Sequence, residues 1–293
     1  MYYIIYGLLW LLSILPLRVL YFLSDAFFGL VFYVLKYRLK VVMTNLLIAF
    51  PEKTEKERRA IAKKFYHNFL DMMFETIKMI TISEKALQKR FTANWDLLNK
   101  LYATGKSVQL HVGHNFNWEW GNFIMTKKVN YKLLAVYMPL SSKIMERLFY
   151  NLRTRNGATF LRATHMKEDF QPYQNTQYLL GLVADQSPGN PGNAWWFDFF
   201  GRKTAFLKGP AKAAKLNDTA IVFAFINKPR RGYYEAVFSS TIEDVQSYSE
   251  KELTGMFAKY LEDVIRMYPD MWLWSHRRWK HEWKPEYENN LEK

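Results

Sequence analysis

Five short apolar runs, Ser107 to Val112, Tyr131 to Tyr137, Tyr178 to Val183, Ala220 to Ile226 and Tyr233 to Phe238, constrain this chain more than any other feature. Helical patterns fall between most of them, and runs of this length read as buried strands. That alternation predicts an α/β layered domain whose mainly parallel sheet is flanked by helices, with sites at the carboxyl ends of strands. His114 and Asp185 both follow such strands. The helical pattern is clearest after Pro51. Thr54-Glu55-Lys56-Glu57 is a capping box, and Ile61, Phe65, Phe69, Met73 and Ile77 recur every four residues, so an amphipathic helix buries a Met and Phe stripe as core. A second helical stretch ends at Gly105-Lys106, and Lys208-Gly209-Pro210-Ala211 reads as another helix start.

A chain of 293 residues, 49% hydrophobic and 17% aromatic, can bury one large core or a core with an appendage. The first 35 residues supply the appendage. Tyr2 to Leu17 has no formal charge, Arg18 interrupts, and Val19 to Leu35 carries only Asp25. Each run alone is shorter than the roughly 20 residues of a spanning helix, so the segment either spans marginally or lies in one leaflet. The start Met1-Tyr2-Tyr3-Ile4 lacks the basic region of a cleaved signal peptide. Lys36, Arg38, Lys40, Lys53, Lys56, Arg58, Arg59, Lys63 and Lys64 follow, against Glu52, Glu55 and Glu57, an excess suited to the cytoplasmic side of an anionic membrane. We therefore divide the chain into a membrane anchor with its basic flank, 1–50, and a catalytic domain, 51–293. The formal net charge of +14 calls for an anionic partner. Zero cysteines exclude a disulfide framework, a thiolate zinc site and a cysteine acyl-enzyme.

The chemistry concentrates in Leu110-His111-Val112-Gly113-His114-Asn115-Phe116-Asn117-Trp118-Glu119-Trp120-Gly121-Asn122. Within one helix the five-residue offset would turn His114 and Glu119 ~140° apart. A strand-loop-helix corner, with a helix beginning at Asn117, is the arrangement that brings them together. There the carboxylate would fix the tautomer of His114 and stabilise its protonated form, leaving a base able to deprotonate an attacking hydroxyl. His111 reads as a strand residue, and H-x-x-H with a distant Glu matches no zinc helix pattern, so no metal is expected. The sequence has no G-x-G-x-x-G, no phosphate-binding G-x-x-x-x-G-K-[ST] and no G-x-S-x-G elbow. With neither a cysteine nor a serine elbow, direct attack by an acceptor hydroxyl on a bound thioester is the economical mechanism.

Further groups suit a long anionic substrate. Arg147, Arg153 and Arg155 approach Asn156-Gly157, where an arginine could stabilise an oxyanion or clamp a phosphate. Ala184-Asp185-Gln186-Ser187 is a polar strand end. Trp195-Trp196-Phe197-Asp198-Phe199-Phe200-Gly201 is dense enough in rings to be core, an acyl-chain trough or a bilayer contact. Trp272-Leu273-Trp274-Ser275-His276-Arg277-Arg278-Trp279-Lys280 interleaves rings and cations, ingredients shared by single-stranded nucleic-acid sites and lipid headgroup interfaces.

Together these blocks resemble the bacterial lipid A biosynthesis acyltransferases, the lauroyl and myristoyl transferases within the lysophospholipid acyltransferase superfamily. The resemblance runs over nearly the whole chain: Tyr37 to Leu46 with Phe50-Pro51, Gly113-His114 to Glu119, Tyr137 with Pro139-Leu140, Arg153 to Gly157, Ala184-Asp185-Gln186, Phe199-Phe200-Gly201, Gly209-Pro210-Ala211, and Trp272-Leu273-Trp274 with His276 to Lys280. It implies an inner-membrane protein with its site at the cytoplasmic face, acyl carrier protein thioesters as donors, no metal or other cofactor, and His114 with Glu119 as the catalytic pair. Many relatives read G-H-F-G-N-W-E, whereas this chain has Asn115-Phe116 after Gly113-His114 and loses the second glycine. The expectation is an O-acyltransferase acting on a hydroxyl of a membrane glycolipid, a lipid A precursor first. His114 is the base, Glu119 its orienter, and Arg153 or Arg155, with Asp185, binds substrate or oxyanion. A phospholipid or aminolipid acceptor, or a non-catalytic membrane adaptor on the same surface, stand as rivals; nucleic acid is not an expected partner.

Overall fold

In the computed structural model, which describes residues 1–290, the central sheet runs β1-β9-β8-β2-β5-β3-β4. Its strands are β1 (Phe91–Ala93), β2 (Val108–Val112), β3 (Lys132–Tyr137), β4 (Thr159–Arg162), β5 (Tyr178–Val183), β8 (Ala220–Arg230) and β9 (Tyr233–Ile242). All neighbours pair in parallel except β8 and β9, which form a hairpin. The α/β class and the mainly parallel sheet expected from the alternation are thus observed. Short β1 and β4, which close the two edges, have no long apolar run to announce them.

β2 sits centrally because it is covered on both faces: Val108, Gln109, Leu110 and His111 are all buried. Its register pairs Val112 with Val183 of β5, so the two strands end side by side. Residues leaving either carboxyl end arrive at the same corner.

A separate antiparallel hairpin, β6 (Ala194–Phe199) and β7 (Arg202–Leu207), turns at Phe200 and Gly201. Both turn residues have positive φ, 56° and 68°, the combination a two-residue turn needs to match strand twist. Trp196, Phe197, Phe199 and Phe200 are buried, so most of this ring-rich segment is core.

The N-terminal half opens with α1 (Tyr2–Ile14) and α2 (Leu17–Gly29), separated at Pro16; α2 continues as a wider turn over Leu30–Val34. Leu17–Val34 is the one helix among the described residues long and apolar enough to cross a membrane, and only 22% of it is buried. α3 (Leu39–Ala49) and α4 (Glu55–Lys78) follow, the latter starting at Thr54 with the expected capping box. The C-terminal segment returns to the core. Asn45 Nδ2 donates to the carbonyls of Trp274 (2.8 Å) and His276 (2.7 Å), and Arg38 Nη1 donates to that of Ser275 (3.0 Å). Trp272, Trp274, Arg278 and Trp279 are buried there, so the segment offers no row of exposed rings for bases to stack on.

Candidate active site

His114 lies two residues past β2, and Asp185 two residues past β5. The adjacent strand ends bring them into contact. Asp185 Oδ2 accepts the backbone N–H of His114 (2.7 Å) and the indole N–H of Trp272 (2.6 Å), while Oδ1 lies 2.5 Å from His114 Nδ1. With its other oxygen already accepting two hydrogen bonds, the carboxylate is oriented to accept a third from Nδ1–H. Nε2 is then left as the acceptor, and the Gln186 amide approaches it at 3.2 Å. Burial alone would raise the Asp185 carboxyl. The charge of His114 and the hydrogen bonds from its ring and backbone and from Trp272 overcome that, holding the group down at about 2. Gly113 makes room for this contact: a Cβ there would lie 3.3 Å from Asp185 Oδ2 and 2.6 Å from Leu261 Cδ1.

Glu119 occupies the first turn of the helix Trp118–Met125, capped by Asn117, whose Oδ1 accepts the N–H of Trp120 (3.1 Å). The strand-loop-helix corner is as expected, but its carboxylate makes no hydrogen bond to His114. Arg153 grips it instead, through Nε (3.2 and 3.0 Å) and Nη2. The indole of Trp118 stands beside both groups, edge-on to the His114 ring at 5.2 Å and donating to Glu119 Oε1 at 3.2 Å. Asp185, not Glu119, therefore meets the ring nitrogen of His114, because β5 ends beside β2 whereas Glu119 points toward Arg153. The guanidinium of Arg153 is held near the rings of Phe149 (5.2 Å) and Phe160 (5.7 Å). Burial works against its charge, and the Glu119 carboxylate outweighs burial to raise its pKa. Its Nη1 makes no hydrogen bond among the described residues.

Arg155 is not part of this cluster. It donates to the carbonyls of Ile80 (2.9 Å) and Ile82 (3.4 Å), tying down the chain after α4. Arg147 lies against Tyr2, its guanidinium 4.2 Å from the ring centre. His111 is buried within the sheet, 2.9 Å from the Gln109 amide, and burial pushes its pKa down to about 3. No group of three His, Asp or Glu side chains is arranged to hold a metal among the described residues.

Sequence reasoning missed three supporting residues. Glu75 of α4, fully buried, accepts from Asn117 Nδ2 (2.9 Å), Tyr234 Oη (2.6 Å) and Tyr21 Oη (2.7 Å), and burial raises its pKa. Its signal was an acid one turn beyond Asp71 on the polar side of α4, opposite the stripe from Ile61 to Ile77. Trp272 was read only as one ring of a mixed segment. His276, whose Nε2 accepts the N–H of Ser187 (3.1 Å), is pushed by burial down to about 4.

The sequence profile of the bacterial lipid A biosynthesis acyltransferases matches residues 1–281. The chain belongs to that family. It is similar to the lipid A biosynthesis palmitoleoyltransferase of Escherichia coli (strain K12), 22% identical over 277 residues that cover 94% of this chain and 89% of the relative. It is also similar to the lipid A biosynthesis lauroyltransferase of the same organism, 23% identical with 94% and 89% covered. The lipid A biosynthesis acyltransferase of Haemophilus influenzae (strain ATCC 51907 / DSM 11121 / KW20 / Rd) is 22% identical, with 79% and 72% covered. Membership makes this chain an acyltransferase, and the matched span takes in His114, Glu119, Arg153 and Asp185 together.

Proposed function

We propose that this acyltransferase moves a fatty acyl group from a thioester to a hydroxyl of a lipid A precursor, with His114 as general base and Asp185 as its positioning residue. The observation that carries the mechanism is the doubly anchored Asp185 carboxylate against His114 Nδ1, which leaves the lone pair on Nε2, where an acceptor hydroxyl would replace the Gln186 amide that stands 3.2 Å away. His114 Nε2 takes the acceptor hydroxyl proton as the oxygen bonds to the thioester carbonyl carbon. The imidazolium, facing the Asp185 carboxylate, returns that proton to the departing thiolate as the C–S bond breaks. The atoms balance without an acyl-enzyme. Arg153 Nη1 stabilises negative charge on substrate or oxyanion, and Glu119 holds the guanidinium in place.

Three further parts of the reading rest on the surface. The exposed apolar faces of α1 and α2 support membrane association, at the cytoplasmic face of the inner membrane. The formal charge of +14 supports an acidic acyl carrier protein as donor carrier. The family's named substrate supports a glycolipid acceptor. The test is acyl transfer from acyl carrier protein or coenzyme A thioesters to a purified lipid A precursor, with wild type and His114→Ala. Folded His114→Ala with near-normal turnover would eliminate the base assigned here.

A further inference from the structure

α4 carries Arg59, Lys63, His67, Asp71 and Glu75 at a strict four-residue spacing, one polar stripe about 24 Å long at 1.5 Å per residue. α2 and its continuation lie along that stripe in the opposite direction. Tyr21 donates to Glu75 Oε1 (2.7 Å), Ser24 donates to Asp71 Oδ1 (2.8 Å), and Phe28 stacks on His67 at 3.8 Å. Arg59 lies 5.5 Å from the ring centre of Phe32, and Lys63 Nζ lies 5.7 Å from that of Tyr33. Arg231 bridges Asp25 (2.8 and 2.9 Å) to Asp71, and Lys228 Nζ reaches Asp71 at 3.0 Å. α1 is tied at both ends. Tyr2 accepts from Asn151 Nδ2 (3.4 Å) under Arg147, while the carbonyls of Ser13 and Leu15 accept from Lys78 Nζ (2.7 and 3.0 Å).

A spanning helix must leave its domain and enter about 30 Å of hydrocarbon. α2 could do so only by taking the charged stripe of α4 along or by breaking each of these contacts. The opposite faces of both helices are bare. Ile4, Leu8 and Leu11 recur on one side of α1, Phe22 is 72% exposed on α2, and Val34 and Leu35 continue the surface. Exposed Arg18, Lys36 and Lys40 flank it.

We propose that α1 and α2 lie in the plane of one leaflet of an anionic bilayer, apolar faces inward, and that neither crosses it. This rests on the membrane association proposed above and specifies its form. Polar contacts hold the domain side, hydrophobic burial holds the lipid side, and the flanking cations meet anionic headgroups. Access to the site then stays on one side of the membrane.

The absence of native cysteines makes the test direct. Ile4→Cys, Phe22→Cys and Val34→Cys, each in the full chain, are added to preformed vesicles of phosphatidylethanolamine and phosphatidylglycerol. Fluorophores on the three thiols should be quenched more by a shallow nitroxide lipid than by a deep one, and a maleimide trapped in the lumen should label none. Phe22 and Val34 are about 18 Å apart along a helix axis, so a spanning α2 would put them at different depths or expose one end to the lumen. Either result overturns in-plane placement even though the protein floats with the vesicles. Failure to float overturns the membrane reading itself. Joint Ile4→Asp and Phe22→Asp should weaken flotation by about tenfold or more with an unchanged melt, since both side chains face outward. Unweakened flotation of this variant would show that these faces are not the lipid contact.

Discussion

Asp185→Asn separates the positioning of His114 from the mere filling of space. The two donors on Asp185 Oδ2, the His114 backbone N–H and the Trp272 indole N–H, dictate how asparagine sits: its carbonyl oxygen must take that place. The amide NH₂ then occupies the Oδ1 position, 2.5 Å from His114 Nδ1 in the native protein, and presents protons to the ring nitrogen. Nδ1 becomes the acceptor, the imidazole proton moves to Nε2, and the base has no lone pair facing the acceptor hydroxyl. The imidazolium also loses its counter-charge. A tautomer error of this kind in a histidine-carboxylate pair lowers turnover on the order of 10³–10⁴-fold, equivalent to about 4 to 5.5 kcal/mol of transition-state stabilisation. KM should change little, because both Asp185 oxygens are committed to His114 and Trp272 and not to substrate, contrary to the expectation from sequence. His114→Ala and the double variant should be about as impaired as Asp185→Asn, since the two groups act as one unit. The melting temperature at neutral pH should fall less than for Asp185→Ala, which strands both donors. The carboxyl is held at about 2 against an ordinary 3.8, so its stabilising contribution is complete above about pH 4 and is lost as pH falls through 2. The assay is single-turnover acyl transfer with a thermal melt of each variant. More than a tenth of wild-type turnover in folded Asp185→Asn would refute the argument.

Glu119→Gln should lower turnover on the order of 10²-fold and destabilise the fold by about 3–5 kcal/mol, because it strands the Arg153 guanidinium without its counter-charge; Glu119→Gln with Arg153→Gln should regain stability but not activity. Equal urea midpoints for the single and double variants would contradict that coupling. Acidification below about pH 6.5 should destabilise the protein through His111 and His276. Buried His111 stays neutral to about pH 3 and half-buried His276 to about pH 4, while both protonate near 6.5 when unfolded, so the unfolded state gains protons as pH falls below 6.5. His111 should contribute a slope of about 1.4 kcal/mol per pH unit and His276 a smaller, solvent-screened share; stability that stays flat between pH 7 and 5 would count against this. Turnover with an acyl carrier protein donor should fall as ionic strength rises while that with coenzyme A changes less, and a parallel response would argue against a basic docking surface.

Much of the site was legible because its parts are local. The run Ser107 to Val112 and the polar exit Ala184-Asp185-Gln186 each announce a strand end, and the Asn117 cap announces a helix. The partner of His114 was not legible. Spacing made Glu119 the nearer carboxylate in sequence, whereas strand order makes Asp185 the nearer one in space, and order 9-8-2-5-3 depends on crossovers that no local pattern records. The same gap hid the role of Trp272, which reaches Asp185 across 87 positions. Arg153 and Arg155 are indistinguishable in sequence, yet two positions along a helix end send one toward Glu119 and the other to the carbonyls after α4.

The buried carboxylate of Glu75 joins two parts of the molecule that sequence reading treated as separate domains. One oxygen accepts from Tyr21 of α2, and the other accepts from Asn117, the cap of the helix that carries Glu119. Trp120 of that helix also donates to the Glu75 carbonyl at 3.0 Å. Tyr21 and Asn117 would each lose their acceptor without this carboxylate, at about 1–3 kcal/mol apiece, whereas the Trp120 bond is to the main chain. The apolar N-terminal helix is therefore no detachable tether, since the side chain that receives it also fixes the start of the Glu119 helix. A catalytic corner built this way keeps a set height above whatever surface α2 rests on, and a lipid acceptor would need to rise only that far to meet His114.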